Sequence, residues 1–277
     1  MKARALLALP GVPPLASLAF LLALWEAASL ALGQSSFPPP TEALRALPAI
    51  FRDAETYTNI GASLARMASG FALGLVIAVP AGLVMGRSRR VANFLNPILT
   101  AIYPIPKAAL MPILMLWVGV GDLSKVLVIF LGVSLPLVYH SYEGARAVDE
   151  KLIWSAMAMG TGPVARVWRV TLPSALPEVL LGCRIGLAMA LILMITSEMI
   201  VRQSGAGNLL FNSLDMAQYD NVYAMIAILA ALGVVLDLAF EQVRLRLSFW
   251  AETREESLRA RFVPCFRRRP ANAWGSA

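Results

Sequence analysis

The most regular feature of the sequence is a series of long apolar runs separated by short polar segments. A helix needs about 20 mainly apolar residues to cross the hydrocarbon core of a bilayer, with a range of about 17 to 25. Runs that meet this length lie at about residues 15–32, 62–85, 95–118, 123–139, 179–201 and 222–240. The third run is interrupted by Pro104, Pro106 and Pro112. The pattern predicts an all-α, polytopic membrane protein with six transmembrane helices.

The segments outside the apolar runs divide the chain into three parts. We predict an N-terminal anchor helix and external segment at 1–61, a transmembrane core at 62–247 and a basic cytoplasmic tail at 248–277. The first run follows Lys2 and Arg4, as in a signal peptide, but it is longer than a signal-peptide core and more spans follow. We therefore interpret it as a retained anchor. The polar, proline-rich stretch 33–59 is predicted to hold a short amphipathic helix.

The composition supports a membrane protein, because 58% of the residues are hydrophobic, only 15% are charged and the mean hydropathy is +0.67. The net charge of +7 could indicate a nucleic-acid partner. The basic residues instead concentrate on one side of the predicted spans, which follows the positive-inside rule and places both termini in the cytoplasm. The residues assigned to the inner side are Lys2, Arg4, Arg87, Arg89, Arg90, Arg146, Lys151, Arg166, Arg169 and the arginines from Arg244 onward. Those assigned to the outer side are Arg45, Arg52, Lys125 and Arg202.

The sequence offers little material for catalysis or metal binding. Cys183 lies in an apolar run and Cys265 in the basic tail, so they form no metal or disulfide motif. The single histidine, His140, excludes paired-histidine zinc sites, and its position at the end of an apolar run favours an interfacial location. We expect no metal and no enzymatic activity.

The segment from Trp154 to Glu178 is the longest stretch of mixed polarity between apolar runs, and it predicts two short helices outside the bilayer. The first ends at Gly160, a residue that tolerates the positive φ of many helix C-termini. Gly162 and Pro163 then suit the start of the second. Pro173 disfavours the α conformation of the residue before it, so we expect this helix to end at Leu172 and Pro177 to start the next element. The arrangement predicts a docking platform for another protein.

The spacing in this segment resembles the EAA loop of bacterial ABC-importer permeases, in which EAAxxxG is followed after nine residues by IxLP. The positions that match, or change conservatively, are Ala156, Gly160, Val170, Leu172 and Pro173. Trp154 stands where the family has Glu, and Ser155 where it has Ala. The resemblance implies that Ser155, Ala156, Gly160, Val170, Leu172 and Pro173 belong to a cytoplasmic coupling loop that docks on an ATPase.

Three further stretches resemble the nitrate, sulfonate and taurine branch of the same family. They are Ser63–Ser88, Pro104–Lys125 and Gly182–Ile200. The resemblance implies an importer permease that forms the path for a small anionic solute, and nitrate, alkanesulfonates, taurine and small heterocyclic vitamin precursors are all compatible with it. It also implies a second permease copy, two ATPase subunits and an external solute-binding protein. No P-loop occurs here, so we expect ATP to bind a separate subunit and this chain to need no cofactor.

Charged residues inside the predicted spans are candidates for function, because each costs several kcal/mol unless it is paired or hydrated. Lys107 follows two prolines near mid-span, so we place it on the translocation path; the alternative is a lysine that reaches the cytoplasmic face or pairs inside the subunit. Trp117 is a second candidate for the path, or else an interface anchor. Arg66 and Glu198 lie at similar depth near the outer surface, and we predict an ion pair between them.

Two other functions remain as alternatives. A self-sufficient secondary transporter needs carboxylates at mid-membrane and usually an internal repeat. Glu198 and Asp237 lie near span ends instead, and no repeat is evident. An intramembrane hydrolase needs a nucleophile with a base, and His140 has no evident serine partner. Recovery of an ATPase together with this chain would distinguish these readings.

Overall fold

The computed structural model describes residues 12–250 of the 277-residue chain, and every regular element in that range is a helix. The helices are α1 (Val12–Leu32), α2 (Pro40–Arg52), α3 (Ala54–Arg87), α4 (Arg89–Ile102), α5 (Met111–Val118), α6 (Asp122–Arg146), α7 (Glu150–Ala158), α8 (Pro163–Arg166), α9 (Leu172–Ile200), α10 (Ala206–Asp215) and α11 (Tyr219–Leu247). A 3₁₀ turn at Lys107–Leu110 precedes α5, and a π-helical turn at Val167–Thr171 precedes α9. Lys2, Arg4, Cys265 and nearly all of the predicted basic tail lie outside the described residues.

The all-α membrane fold is confirmed, whereas the count of six spans stays a prediction. Within residues 12–250, four helical stretches are long and apolar enough to cross a membrane: α3, α6, α11 and the stretch Pro163–Ile200. The α4–α5 pair passes the same test only when combined, and it bends by 86° at the break. The first predicted span corresponds to α1, whose apolar part, Ala16–Leu32, is shorter.

The core forms where α3, α6 and α9 pack together along their lengths. Small residues at every fourth position of α3, Gly70, Gly74, Ala78 and Gly82, explain how closely α6 approaches. A Cβ atom on Gly70 would lie 2.7 Å from the Cγ2 atom of Ile129, and one on Gly82 would lie 2.5 Å from the carbonyl oxygen of Val138. Small residues allow such close approach where helices pack in a membrane. The three helices therefore form one tightly packed unit.

The N-terminal elements pack on the outside of this unit. The predicted amphipathic helix is present as α2, and it packs against α11. The indole N–H of Trp25 in α1 donates to the carbonyl of Pro38 at 3.2 Å, and the Trp25 ring lies 5.5 Å from that of Tyr223 in α11. These contacts hold α1 and α2 beside α11.

The predicted helix end at Leu172 is wrong. Leu172 has helical dihedral angles (φ −61°, ψ −49°), the helix continues unbroken from Pro163 to Ile200, and Pro177 lies inside it. A proline in a regular helix loses one hydrogen bond and clashes with the carbonyl four residues earlier. Here the turn before Pro173 is π-helical, and the Leu172 N–H bonds to the carbonyl of Val167. We infer that this wider turn accommodates the proline ring.

Candidate functional site

A cavity of about 830 Å³ opens beside the break in the third apolar run. The break spans 103–106, where two prolines interrupt the helical hydrogen bonds between α4 and the 3₁₀ turn. The cavity is lined by Thr100, Tyr103, Ile105, Lys107, Gly132, Leu135, Pro136, Tyr139, His140, Ile185, Met189, Ile192 and Leu193. The lining is mainly apolar, with a few polar groups from α4, α6 and the break.

Lys107 lies on the wall of this cavity, and its ammonium group is held by the break itself. The Nζ atom donates to the carbonyl oxygens of Ile102 and Ile105 at 2.7 Å and to that of Tyr103 at 3.2 Å. These three bonds use all three N–H groups of the ammonium. The positive charge is therefore fixed at the C-terminal end of α4, where it also interacts favourably with the helix dipole.

The structure does not bring Trp117 to the same cavity. Trp117 lies near the end of α5, is 78% exposed and is not among the lining residues. Two tyrosines line the cavity instead, Tyr103 and Tyr139, and their ring centroids are 6.1 Å apart. His140 also lines it, and its Nδ1 atom lies 2.7 Å from a carboxylate oxygen of Glu178. Tyr139 and His140 end an apolar run in the sequence, which is too common a position to mark a cavity.

The predicted platform forms a compact turn at one end of the core. Gly160 has φ +76°, as predicted, and a Cβ atom there would meet no other atom, so the requirement for glycine is conformational. The Thr161 N–H bonds to the carbonyl of Ala156 at 3.0 Å, which closes α7 in the manner of a Schellman motif. Gly162 and Pro163 then begin α8, as predicted.

The predicted coupling residues divide between the inside and the outside of this platform. Ala156 is buried, and Val170 and Leu172 pack against the core, whereas Ser155, Gly160 and Pro173 are exposed. The outer surface consists of other residues, and the exposed large apolar side chains are Leu152, Trp154, Met157, Met159, Val164 and Trp168. A bond of 2.9 Å between Arg87 and Glu150 joins the end of α3 to the start of α7.

A buried charge cluster lies at the opposite end of α3. Arg66 Nη1 lies 2.7 Å from Glu198 Oε1, so the structure places the two predicted partners in contact. Arg66 is 5% exposed, and Glu198 has no exposed surface. Arg184, elsewhere on α9, forms a bidentate pair with Asp237 at 2.7 and 2.8 Å.

The turn between α9 and α10 completes this cluster. The Ser63 hydroxyl lies 2.7 Å from both carboxylate oxygens of Glu198 and accepts the N–H of Ala206. The Gly207 N–H donates to Glu198 at 3.1 Å. Gly205 has φ +115°, and any Cβ atom there would collide with the Glu198 carboxylate. The turn between α9 and α10 therefore packs directly against the buried Glu198 carboxylate.

Two further charged residues belong to the cluster. Asp122, the first residue of α6, accepts from Arg66 Nε at 2.7 Å, and its side chain is 70% exposed. Lys125 has no exposed surface, and its ammonium lies 3.4 Å from the Ser204 carbonyl, which also accepts from Arg66. Lys125, which the charge distribution assigned to the outer side, lies one turn inside α6, and its side chain is buried in the protein.

Sequence reasoning identified only two members of this cluster. The others come from three separate segments: Ser63 from α3, Asp122 and Lys125 from α6, and Ser204 from the turn before α10. The one available signal in the sequence was the opposite charges of Asp122 and Lys125, three residues apart at the start of a span. Among residues 12–250, no three His, Cys, Asp or Glu side chains lie close enough together to hold a metal ion.

Comparison with known sequences gives one family. Residues 70–249 match the profile of the binding-protein-dependent transport system inner membrane component family. The chain is 32% identical over 241 residues to the taurine transport system permease protein TauC of Escherichia coli (strain K12). The aligned region covers 84% of this chain and 88% of that protein. It is 29% identical over 240 residues to SsuC of Bacillus subtilis (strain 168), a permease assigned to aliphatic sulfonate transport, covering 86% and 87%.

Comparison with solved structures gives the same fold. The structure is similar to that of the MetNI methionine ABC transporter in an inward facing conformation, with a TM-score of 0.60. The match covers 69% of this chain and 95% of the other at 18% sequence identity.

Proposed function

Since the chain belongs to the family of binding-protein-dependent transport system inner membrane components, we propose that it carries a small organosulfonate such as taurine through the inner membrane. It is a multi-pass permease subunit of an ABC importer, a transport protein rather than an enzyme. Its partners are an ATPase and a solute-binding protein. The family assignment favours this function over a self-sufficient secondary transporter.

The observation that carries the proposal for the solute is the cavity beside the broken span. Its wall combines a fixed ammonium, Lys107, with the rings of Tyr103 and Tyr139 in a mainly apolar surface. A cation fixed in a mainly apolar surface attracts an anion more strongly than the same cation does in water. A sulfonate group suits that charge, and an aromatic ring can accept the ammonium of an aminosulfonate by a cation–π interaction.

We place the coupling to the ATPase at the platform. The helix α7 and the turn at Gly160 present a patch of exposed apolar residues, which suits insertion of a helix into a groove of a partner. The residues Ser155, Ala156, Gly160, Val170, Leu172 and Pro173 shape or support this patch. The link from Arg87 to Glu150 would pass movement of the patch into α3. ATP would bind the separate ATPase subunit.

The charge distribution supports an orientation with the platform and both termini in the cytoplasm. In the structure, the basic end of α3 and the platform lie at the same end of the core, joined by Arg87 and Glu150. Basic residues favour the cytoplasmic side of a membrane. The charge cluster around Arg66 is then at the external end.

The test is uptake of radiolabelled taurine and of an alkanesulfonate by proteoliposomes that contain this permease, its ATPase and its solute-binding protein. We expect ATP-dependent uptake that Lys107→Met reduces by about tenfold, which corresponds to about 1.4 kcal/mol. Lys107→Arg, which keeps the charge, should be milder. ATPase recovery with the permease serves as the control for assembly. Absence of sulfonate uptake by the wild-type transporter would refute the proposed solute. If Lys107→Met takes up the solute as fast as the wild type at limiting solute concentration, Lys107 does not belong to the path.

A further inference from the structure

The cluster around Arg66 joins the external ends of several helices through one turn. We use the term external latch for Arg66, Asp122, Lys125, Glu198 and the turn 204–207. Arg66 belongs to α3, Asp122 and Lys125 to α6, and Glu198 to α9, while the turn leads into α10. Opening the external end between these helices requires that some of these contacts break.

The external latch is balanced in charge only when Asp122 takes part. Counted with all four side chains charged, it contains two cations, Arg66 and Lys125, and two carboxylates, Glu198 and Asp122. Three of the four groups are buried, and Asp122 alone is mainly exposed. If Asp122 withdraws, two buried cations remain with one carboxylate. Unbalanced buried charge is strongly unfavourable, so the remaining contacts are then destabilised.

The position of Asp122 makes it accessible to a partner. It follows the turn Gly119–Gly121, in which Gly119 has φ +87° and Val120 is exposed. By the charge distribution, this turn lies on the external side, where the solute-binding protein docks. A lysine or arginine of that protein placed beside Asp122 would compete with Arg66 for its carboxylate.

We propose that Asp122 is the positioning residue that keeps the external latch closed, and that a basic side chain of the docked solute-binding protein opens the latch by drawing Asp122 away from Arg66. This inference rests on the proposed function of the chain as a binding-protein-dependent permease. It explains why the one exposed carboxylate of the latch bonds to a buried arginine at 2.7 Å. It also gives Lys125 a role, since its buried charge makes the latch depend on Asp122.

The experiment measures the ATPase activity of the reconstituted transporter with and without the solute-binding protein. Asp122→Asn mimics the docked state, so it should raise the activity without binding protein by about fivefold or more, the lower end of typical coupling between sites. Asp122→Glu should retain low basal activity. Asp215→Asn is the matched control, because Asp215 also pairs with an arginine, Arg202, but on the surface and outside the latch.

A second substitution tests the charge argument directly. Asp122→Asn combined with Lys125→Met leaves Arg66 and Glu198 as a balanced pair, so it should return the basal activity toward the wild-type value. If Asp122→Asn alone does not assemble, the double variant is compared with Lys125→Met alone. Lys125→Met leaves one buried arginine between two carboxylates, so the Arg66–Glu198 pair stays balanced when Asp122 is drawn away, and stimulation by the binding protein should weaken. Adding Asp122→Asn removes the carboxylate that the binding protein would draw away, so the stimulation should stay weak.

The outcomes separate the latch from the proposed function. A wild-type transporter whose ATPase is not stimulated by the binding protein would refute the proposed function, and the latch proposal would fall with it. A normally stimulated wild type with unchanged basal activity in folded Asp122→Asn would overturn the latch alone. So would failure of Lys125→Met to lower the raised basal activity of Asp122→Asn or, where that single variant does not assemble, normal stimulation of Lys125→Met by the binding protein.

Discussion

At the scale of single residues, the Arg66–Glu198 pair shows how this protein buries charge. Each group has several partners: Glu198 receives Arg66, the Ser63 hydroxyl and the Gly207 N–H, and Arg66 also bonds to the turn at Ser204. A buried ion pair stabilises only when such further hydrogen bonds offset the loss of hydration. The pair and its surrounding turn therefore form one cooperative unit.

This cooperation predicts non-additive effects of substitution. Arg66→Met and Glu198→Gln should each lower the stability of the detergent-solubilised permease, because each leaves the four-charge cluster of Arg66, Asp122, Lys125 and Glu198 with one uncompensated charge. The double variant should lose less than the sum of the two, with a coupling energy of about 0.5–3 kcal/mol. Thermal or denaturant unfolding of all four proteins in one detergent measures it.

The same cycle on Arg202→Met and Asp215→Asn, a pair with both side chains partly exposed, provides the reference. It should give a coupling near zero, as exposed pairs often do. Strict additivity at Arg66 and Glu198 would mean that the contact contributes nothing to stability.

The limits of the sequence are clearest at this scale. Arg66 and Glu198 could be predicted as partners because the predicted spans place them at one depth in helices of opposite direction. Ser63, Lys125 and Ser204 could not, because their contacts depend on how the turn 204–207 folds back on α9. The fold of this turn depends on Gly205, which has φ +115°, and on the Glu198 carboxylate that contacts it. Neither feature produces an apolar or helical pattern in the sequence.

At the scale of elements, the platform depends on the backbone of one residue. Gly160 adopts φ +76° between α7 and α8, where a side chain costs about 1–2 kcal/mol because of its Cβ atom. The apolar periodicity and the glycine positions were sufficient to predict this elbow. They were not sufficient to predict the continuous helix through Pro173, because the π-helical turn that accommodates the proline has no sequence signature.

Substitution of this glycine should uncouple transport from ATP hydrolysis. We expect Gly160→Val and Gly160→Pro to insert into the membrane normally but to lose most solute-stimulated ATPase activity and uptake, since the elbow lies outside the predicted spans. Gly160→Asn should be milder, because Asn tolerates the left-handed conformation.

Gly162→Ala is the matched control for this prediction. Gly162 is two residues away, equally open to added atoms and has φ −65°, which alanine adopts without strain. It should retain uptake. Normal uptake and stimulated ATPase activity in Gly160→Pro would contradict a coupling role for the elbow.

At the scale of the whole molecule, the break between α4 and the 3₁₀ turn lies on an exposed face of the chain. Tyr103 to Pro106 are all exposed, although they lie within an apolar stretch that is predicted to be in the membrane. Irregular backbone cannot face lipid, because its unpaired polar groups must be buried in protein or hydrated. We infer that a second copy of the permease covers this side, and that the cavity at Lys107 is half of the solute path.

This arrangement predicts which surfaces meet in the membrane. With the native cysteines Cys183 and Cys265 replaced, Ile105→Cys at the break should form a covalent dimer in membranes treated with a short bis-maleimide. Leu238→Cys should remain monomeric, although Leu238 on α11 is also apolar and exposed. A dimer of Trp117→Cys would assign that residue to the interface, the alternative to a role in the path. The physical reason for the contrast is that Leu238 belongs to a regular helix, which lipid alone can cover, whereas the backbone beside Ile105 requires protein or water. Cross-linking at Leu238 with none at Ile105 would place the second copy on α11 and leave the solute path within a single chain.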